Sequence, residues 1–336
     1  MSQLPLISLI LPCYNQAANL RQSIPFLLNQ SFKNFEIVCV NDGSTDDTKA
    51  VIQHFQQLDA RVRLVEQNTN RGTLSTRLLG ALNANGAYIT QFDPDDRLST
   101  NFVLQNLSES LSLQEPDILH FKMRLVFDPP NFKIEPYHWA NPRKLQIEPG
   151  NLMSSFITDD LSHTTTGKLV KRGVYLRAIV DLRELEEKRV IYIDDFSLMF
   201  ALANNAETYK VADIEGYDYY TNDESVMGML SQPKKCLKFL LDTKNVYEAC
   251  HKIAANNPKK YEAEFLDAFI RKVVGMYTER LYRFSKLNFI EEDKFNMCKI
   301  IDAEYLNDLQ YNRAIWNLCG YTPKWKTNRK CWTFNV

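Results

Sequence analysis

Three groups of acidic side chains stand where the chain turns from a core strand into a loop or helix, and they have the most chemistry to offer. In "FDPDD" (92–96), Asp93, Asp95 and Asp96 crowd together directly after the apolar run "AYIT". Carboxylates this close repel one another and are unfavourable without a counter-charge. A divalent cation supplies one. Hard oxygen donors suit Mg²⁺ or Mn²⁺, which keep few protein ligands and take the rest from phosphate and water. The competing reading is a solvated acidic turn with Asp95 or Asp96 capping the next helix. In "IYIDDFSLMF" (191–200), Asp194 and Asp195 open a helical pattern. An aspartate suits the positive end of a helix. It can also take a proton from an attacking hydroxyl within hydrogen-bond reach. In "CVNDGSTDDT" (39–48), Ser44 to Asp47 read as a capped helix start. Asp42 precedes that cap and is a candidate acceptor for the imide N–H of a uracil.

The elements that must position these groups alternate in type. "LISLILP" (6–12), "FEIVCVN" (35–41), "VRLVEQ" (62–67), "GAYITQF" (86–92) and "DILHFKM" (117–123) read as strands. The first is continuously apolar, as expected of a strand covered on both faces. Helical spacing fills the intervals at 19–30, 42–58, 72–85 and 101–111, with Pro25 expected to kink the first helix or confine it to short turns. This alternation predicts an α/β fold with a Rossmann-like, doubly wound, mostly parallel sheet. Such sheets bind ligands beyond the carboxyl ends of their strands, which here are the loops "PCYN", "NDGSTDD" and "DPDD". Residues 125–165, rich in Pro and Asn, read as loops and short ribbons. "RVIYIDDFSLMFALANN" (189–205) reads as a short strand entering a helix, and the pattern from 231 onward is helical.

The bulk properties exclude several classes. A chain of 336 residues with 45% apolar and 24% charged residues is an ordinary globular protein of one large domain or two. The net charge of -1 divides unevenly, the first 230 residues being acidic and residues 231–336 basic. The 7 cysteines include no C-x-x-C pair, which fits a reduced, cytoplasmic protein without structural zinc. The N-terminus lacks the basic region of a signal peptide, and no apolar run is long enough to span a bilayer. No G-x-G-x-x-G follows the first strand and no P-loop is present, so any nucleotide is held differently from that of a dehydrogenase or P-loop enzyme. The tail "YTPKWKTNRKCWTFNV" (321–336) interleaves Lys324, Lys326, Arg329 and Lys330 with Trp325, Trp332 and Phe334. That composition suits contact with an anionic membrane surface or a lipid-linked acceptor, or a tail docked on the domain by its aromatic rings. Nucleic acid is a poor fit, because the acidic half carries the candidate site.

Taken together, "SLILPCYNQAANLRQSIPFLLNQSFKNFEIVCVNDGSTDDT", "NRGTLSTRLLGALNANGAYITQFDPDD" and "IDDFSL" resemble the family 2 inverting glycosyltransferases of the GT-A fold, over roughly residues 5–225. The resemblance implies a GT-A domain at 1–230, with 1–125 binding a nucleotide-sugar and 126–230 forming the acceptor half. A helical C-terminal region would follow at 231–336. It implies that Pro12 to Tyr14 and Asp42 hold the base, with Tyr14 against the ring. Asn70, Gly72 and Arg77 match an N-x-G-x-x-x-x-R stretch near ribose and phosphate. It makes Asp95 the direct ligand of Mn²⁺ or Mg²⁺, Asp93 its helper by the ribose or the metal's water shell, and Asp195 the catalytic base. Family members show Glu-Asp where this chain has Asp194–Asp195. "GKLVKR" (167–172) resembles a Lys-Leu segment of the acceptor half. Members also carry an Arg or His in a loop after the last core strand, and "YYTNDESVM" (219–227) has neither. Either Lys168 or another cation replaces it, or the diphosphate leans more on the metal. The implied activity is metal-dependent, inverting transfer of a sugar, from UDP-sugar above all, to a hydroxyl of a glycan or lipid-linked acceptor in capsule, lipooligosaccharide or other surface polysaccharide synthesis. It would take place in the cytoplasm or peripherally on the inner face of the membrane. The alternatives are a catalytically silent nucleotide-sugar-binding protein and a sugar nucleotidyltransferase. The latter is expected to carry a Gly-rich basic loop near the first strand, and "LPCYNQ" is not one.

Overall fold

The computed structural model describes residues 4–127, 132–221 and 233–257. The N-terminal half alternates strand and helix: β1 (Ile7–Cys13), α1 (Ala17–Leu28), β2 (Phe35–Asp42), α2 (Thr48–Leu58), β3 (Val62–Gln67), α3 (Thr73–Asn83), β4 (Tyr88–Gln91), the short β5 (Arg97–Leu98), α4 (Val103–Gln114) and β6 (Ile118–Phe127). Beyond it come β7 (Lys133–Pro136), β8 (Gln146–Ile147), α5 (Leu152–Ile157), β9 (Lys168–Lys171), α6 (Arg172–Asp181), a 3₁₀ turn (Arg183–Lys188), α7 (Asp194–Asn205), β10 (Tyr209–Thr221) and α8 (Pro233–Ala255). One sheet runs β3-β2-β1-β4-β9-β6-β10-β5. β3, β2, β1 and β4 are parallel, as are β6 and β10, while β9 lies antiparallel between β4 and β6. The expected doubly wound, mostly parallel sheet is present.

Alternation along the strands builds the two layers. Leu9 and Leu11 of β1 face α1, α2 and α4, whereas Ile10 faces α3, α6 and α7. All eight residues of β2 are buried, which requires cover on both faces. Each fully enclosed Ile, Leu or Val contributes about 1.5–3 kcal/mol relative to exposure, so the central strands carry much of the stability. The helix–sheet contact is tightest at Gly80 of α3, where a Cβ would sit 2.3 Å from Ile10 Cγ2 and 3.0 Å from Val40 Cγ2. Two polar groups in this core are matched to each other. Ser8 Oγ donates to Glu36 (2.6 Å), which also accepts from Arg63 and the Asn85 amide. These donors hold the Glu36 carboxyl below its ordinary range despite its burial.

Several expectations are corrected. Pro25 does not break α1, which is continuous for 12 residues. Pro25 and Arg21, whose carbonyl loses its partner, both lie on the exposed side of the helix. No strand precedes α7. Arg189 and Ile193 take positive φ (50° and 53°), and the amides of Ile191 and Tyr192 donate to the Asp242 carboxylate of α8 instead of a ladder. In the stretch expected to be loops and short ribbons, β6 extends to Phe127 and pairs with β7. The first helix of the basic C-terminal region packs on α7 and the 3₁₀ turn, within the same core. The rest of that region, including the 321–336 tail, and most of the 219–227 loop fall outside the described residues. Among the described helices none is long and apolar enough to cross a membrane.

Gly80→Val tests the close approach of α3. Overpacking against Ile10 and Val40 is expected to cost about 1–3 kcal/mol, seen as a lower urea midpoint at unchanged slope.

Candidate active site

Because β1, β2 and β4 run parallel, their carboxyl ends open on one side, and the loops after them meet there. The loop after β1 is tied to the "GSTDD" stretch. Ser44 Oγ accepts the Asn15 amide (3.0 Å), Asn15 Oδ1 accepts the Thr45 amide (2.9 Å) and Asp46 accepts the Ala17 and Thr48 amides. Ser44 and Thr45 therefore do not cap α2, whose preceding residue is Asp47 with no side-chain cap. They brace a neighbouring loop. Within it Pro12 is half-buried and Tyr14 is 45% exposed, an open aromatic face of the kind a base stacks on.

Asp42 is buried and engaged. Its Oδ1 accepts the Arg71 amide (2.7 Å) and Gln67 Nε2 (3.1 Å), and its Oδ2 accepts the Gly72 amide (3.0 Å). The carboxylate expected to accept a uracil imide is thus already engaged by three donors of the protein. The carboxylate orders the 70–72 loop, because two successive backbone amides in a turn need an acceptor once they leave water. Gly72 has φ 90°, and a Cβ there would meet Val190 O at 2.8 Å. Asn70 Oδ1 accepts Arg189 Nε at 3.1 Å, and Arg71 and Arg189 are both exposed. Sequence reading missed these two cations. Arg189 sits in "EEKRV", which looks like a solvated charge run.

Arg77 is the centre of the carboxylate group. It projects from α3, is 4% exposed, and bonds Asp194 through Nε (2.9 Å) and Asp93 through NH2 (3.0 Å). The expected ribose or phosphate role of Arg77 is corrected, since its guanidinium is committed to protein carboxylates. Burial raises the carboxyls of Asp93 and Asp194 above their ordinary range, Arg77 pulling down and Asp195 pushing up on both. Asp95 is exposed on the turn. Asp96 is 2% exposed and caps no helix. It accepts the Tyr217 hydroxyl (2.6 Å) and the Tyr220 amide (2.9 Å), pinning the turn to β10. Burial, then the charges of Asp93 and Asp95, push its carboxyl well up.

Asp195 is half-buried in the first turn of α7, where the helix dipole favours its charge. Its Oδ1 accepts the amide and hydroxyl of Thr165. Lys168 is a correction. It is 0% exposed, and its ammonium donates to Ser162 Oγ (2.8 Å), Thr164 O (2.6 Å) and Thr164 Oγ1 (3.2 Å). Three donors meet three acceptors within the protein, leaving none for a diphosphate. Burial lowers it to about 7, against the pull of Asp195.

Residues 8–168 match the family model described as glycosyl transferase family 2. An uncharacterized glycosyltransferase of Haemophilus influenzae is 41% identical over 110 residues, 31% of this chain and 44% of that protein. The GalNAc(5)-diNAcBac-PP-undecaprenol beta-1,3-glucosyltransferase of Campylobacter jejuni is 36% identical over 96 residues, 28% of this chain and 31% of that protein. The chain thus spans less than half the length of these relatives. S. aureus TarS 1-349 in complex with UDP-GlcNAc shares the fold, with TM-score 0.51 and 15% identity over 91% of each chain.

Arg77→Met leaves Asp93 and Asp194 facing Asp195 without a counter-charge. The expected loss is about 3–5 kcal/mol of unfolding free energy near neutral pH, read by urea denaturation. Both carboxyls are already raised in the folded state, and loss of Arg77 raises them further. The folded variant therefore takes up protons as pH falls, and its deficit against the parent shrinks at mildly acid pH and grows at alkaline pH.

Proposed function

We propose that the protein, whose residues 8–168 match the family model of glycosyl transferase family 2, transfers a sugar, with inversion, from a nucleotide-sugar to a hydroxyl of a glycan or lipid-linked acceptor. The observation that carries the reading is the meeting of Asp93 and Asp195 beside the buried Arg77 at the carboxyl ends of the parallel strands, with Asp95 on the turn that follows Asp93. The UDP-GlcNAc bound to TarS supports a uridine donor. The Campylobacter relative, a glucosyltransferase acting on an undecaprenol-diphosphate-linked saccharide, supports a lipid-linked saccharide as acceptor. The basic, aromatic tail at 321–336 suits peripheral contact with the membrane carrying such an acceptor.

The donor set fits a divalent cation that brings most of its own ligands. Among the described residues no three His, Cys, Asp or Glu side chains converge to cage a metal. Asp95 is exposed and Asp93 is held by Arg77 on one oxygen, so the chain offers hard oxygens from one or two carboxylates. Mg²⁺ or Mn²⁺ is bound in that way when a diphosphate and water complete its shell. Asp95 would hold it directly and Asp93 would assist. When bound, the cation neutralises charge on the departing nucleoside diphosphate.

The chain's own residues do the remainder. Pro12 and Tyr14 receive the base, and the loop ordered by Asp42 presents Asn70 and Arg71 on the same side. Arg77 keeps Asp93 and Asp194 in place beside Asp195. Asp195 takes the proton of the acceptor hydroxyl as that oxygen bonds to the anomeric carbon. The bond from that carbon to the diphosphate oxygen breaks, and its electron pair leaves with the diphosphate. Attack from the opposite face turns an α-linked donor into a β-linked product.

Purified protein is expected to transfer sugar from a UDP-sugar in the presence of Mn²⁺, and to lose that activity in EDTA and in Asp95→Ala. Asp195→Asn is expected to keep the thermal shift given by UDP with Mn²⁺ while its turnover falls about 10²–10⁴-fold. Wild-type turnover in Asp195→Asn removes the base assignment. Full activity in EDTA removes the metal.

A further inference from the structure

We propose that Thr165 is a positioning residue that grips the base Asp195 by one oxygen and aims the other at the acceptor hydroxyl. This rests on the reading of Asp195 as the base. The amide of Thr165 donates to Asp195 Oδ1 at 3.3 Å, and its hydroxyl donates to the same atom. No hydrogen bond engages Oδ2 among the described residues, so both restraints act on one side of the carboxylate. A carboxylate held by one oxygen loses rotation about its terminal torsion, which is broad when free. Thr165 is 2% exposed, and its branched Cβ restricts its own χ1. Its hydroxyl proton is thus committed to Asp195.

The segment carrying Thr165 is fixed from below. Ser162 Oγ, Thr164 O and Thr164 Oγ1 all accept from the buried Lys168 ammonium, and Thr166 Oγ1 lies 3.7 Å from Met123 Sδ. Gly167, at φ 73°, makes the turn into β9, and a Cβ there would meet Met123 Sδ at 2.8 Å. The Gly167 carbonyl accepts the Phe121 amide at 2.9 Å. A five-residue segment with the buried Lys168 amine beneath it and a glycine turn at its end has little freedom, and it touches Asp195. Burying an ammonium without a carboxylate contact is costly, and geometric specificity is the use that offsets such a cost. Lys168 is thereby assigned to holding this segment rather than to donor phosphate.

Thr165→Val keeps the volume and branching and removes the hydroxyl. Its kcat is expected to fall about 10–100-fold, with the KM for nucleotide-sugar and the thermal shift given by UDP unchanged. That split marks an interaction realised in the transition state. Thr165→Ser, which restores the hydroxyl, is expected to recover most of the loss. The inference is overturned by wild-type kcat in Thr165→Val, by a serine variant no better than valine, or by a valine variant that loses UDP binding in step with kcat. If the wild-type protein transfers no sugar from any UDP- or GDP-sugar, the underlying reading fails and the positioning role falls with it. Transfer by wild type and Thr165→Val alike overturns the positioning role alone.

Discussion

The site is organised by one buried cation among carboxylates. Arg77 is enclosed between the sheet and α7, with Asp194 on one edge of its guanidinium and Asp93 on the other. Neither side of this arrangement stands alone. An unpaired guanidinium is far too costly to enclose, and carboxylates gathered at a strand end repel one another. Pairing them fixes three elements at once: α3, the turn after β4, and the first turn of α7. The fork geometry of arginine allows this, because its donors point in separate directions within one plane, whereas a lysine would offer a point charge. Asp195 is outside the clamp's direct bonds but inside its field; in the proposed mechanism it takes the proton, and Asp95 on the neighbouring turn takes the cation.

Around that centre, acidic side chains do structural work on backbone amides. Asp42 orders the 70–72 loop, Asp46 binds the starts of α1 and α2, Asp96 joins the turn after β4 to β10, and Asp242 receives two amides of the coil before α7. The loops at the open end of the sheet are therefore held by charge-assisted bonds. A rigid platform of this kind suits a site that must place a sugar's anomeric carbon against an incoming hydroxyl, where small displacements cost large factors in rate. The site remains rich in negative charge, which favours a ligand arriving with a divalent cation.

Much of this was legible in the chain. The continuous apolar runs of β1 and β2 announced a doubly covered sheet, and the loops at their ends gave the place to look. Asp93, Asp95 and Asp195 stood out as candidates because they sit where a core strand or coil turns into a loop or helix. What could not be read were partnerships across long separations. Arg77 and Asp194 lie 117 residues apart, Asp96 and Tyr217 121, and Thr165 and Asp195 30. No spacing rule links such pairs. The strand expected before α7 failed for the same reason, since Asp242 on α8 supplies the bonds a ladder would have supplied.

By itself, then, the sequence determined the layer order of the fold and the candidate carboxylates, because periodicity and local charge are properties of neighbouring residues. Only the tertiary structure decided which carboxylates are enclosed and which keep access to solvent. Asp42, Asp96 and Asp194 were equivalent in composition to Asp95 and Asp195. Burial and the donors brought to them from distant segments separated the two groups, and made of Lys168 an internal fastening instead of a surface cation.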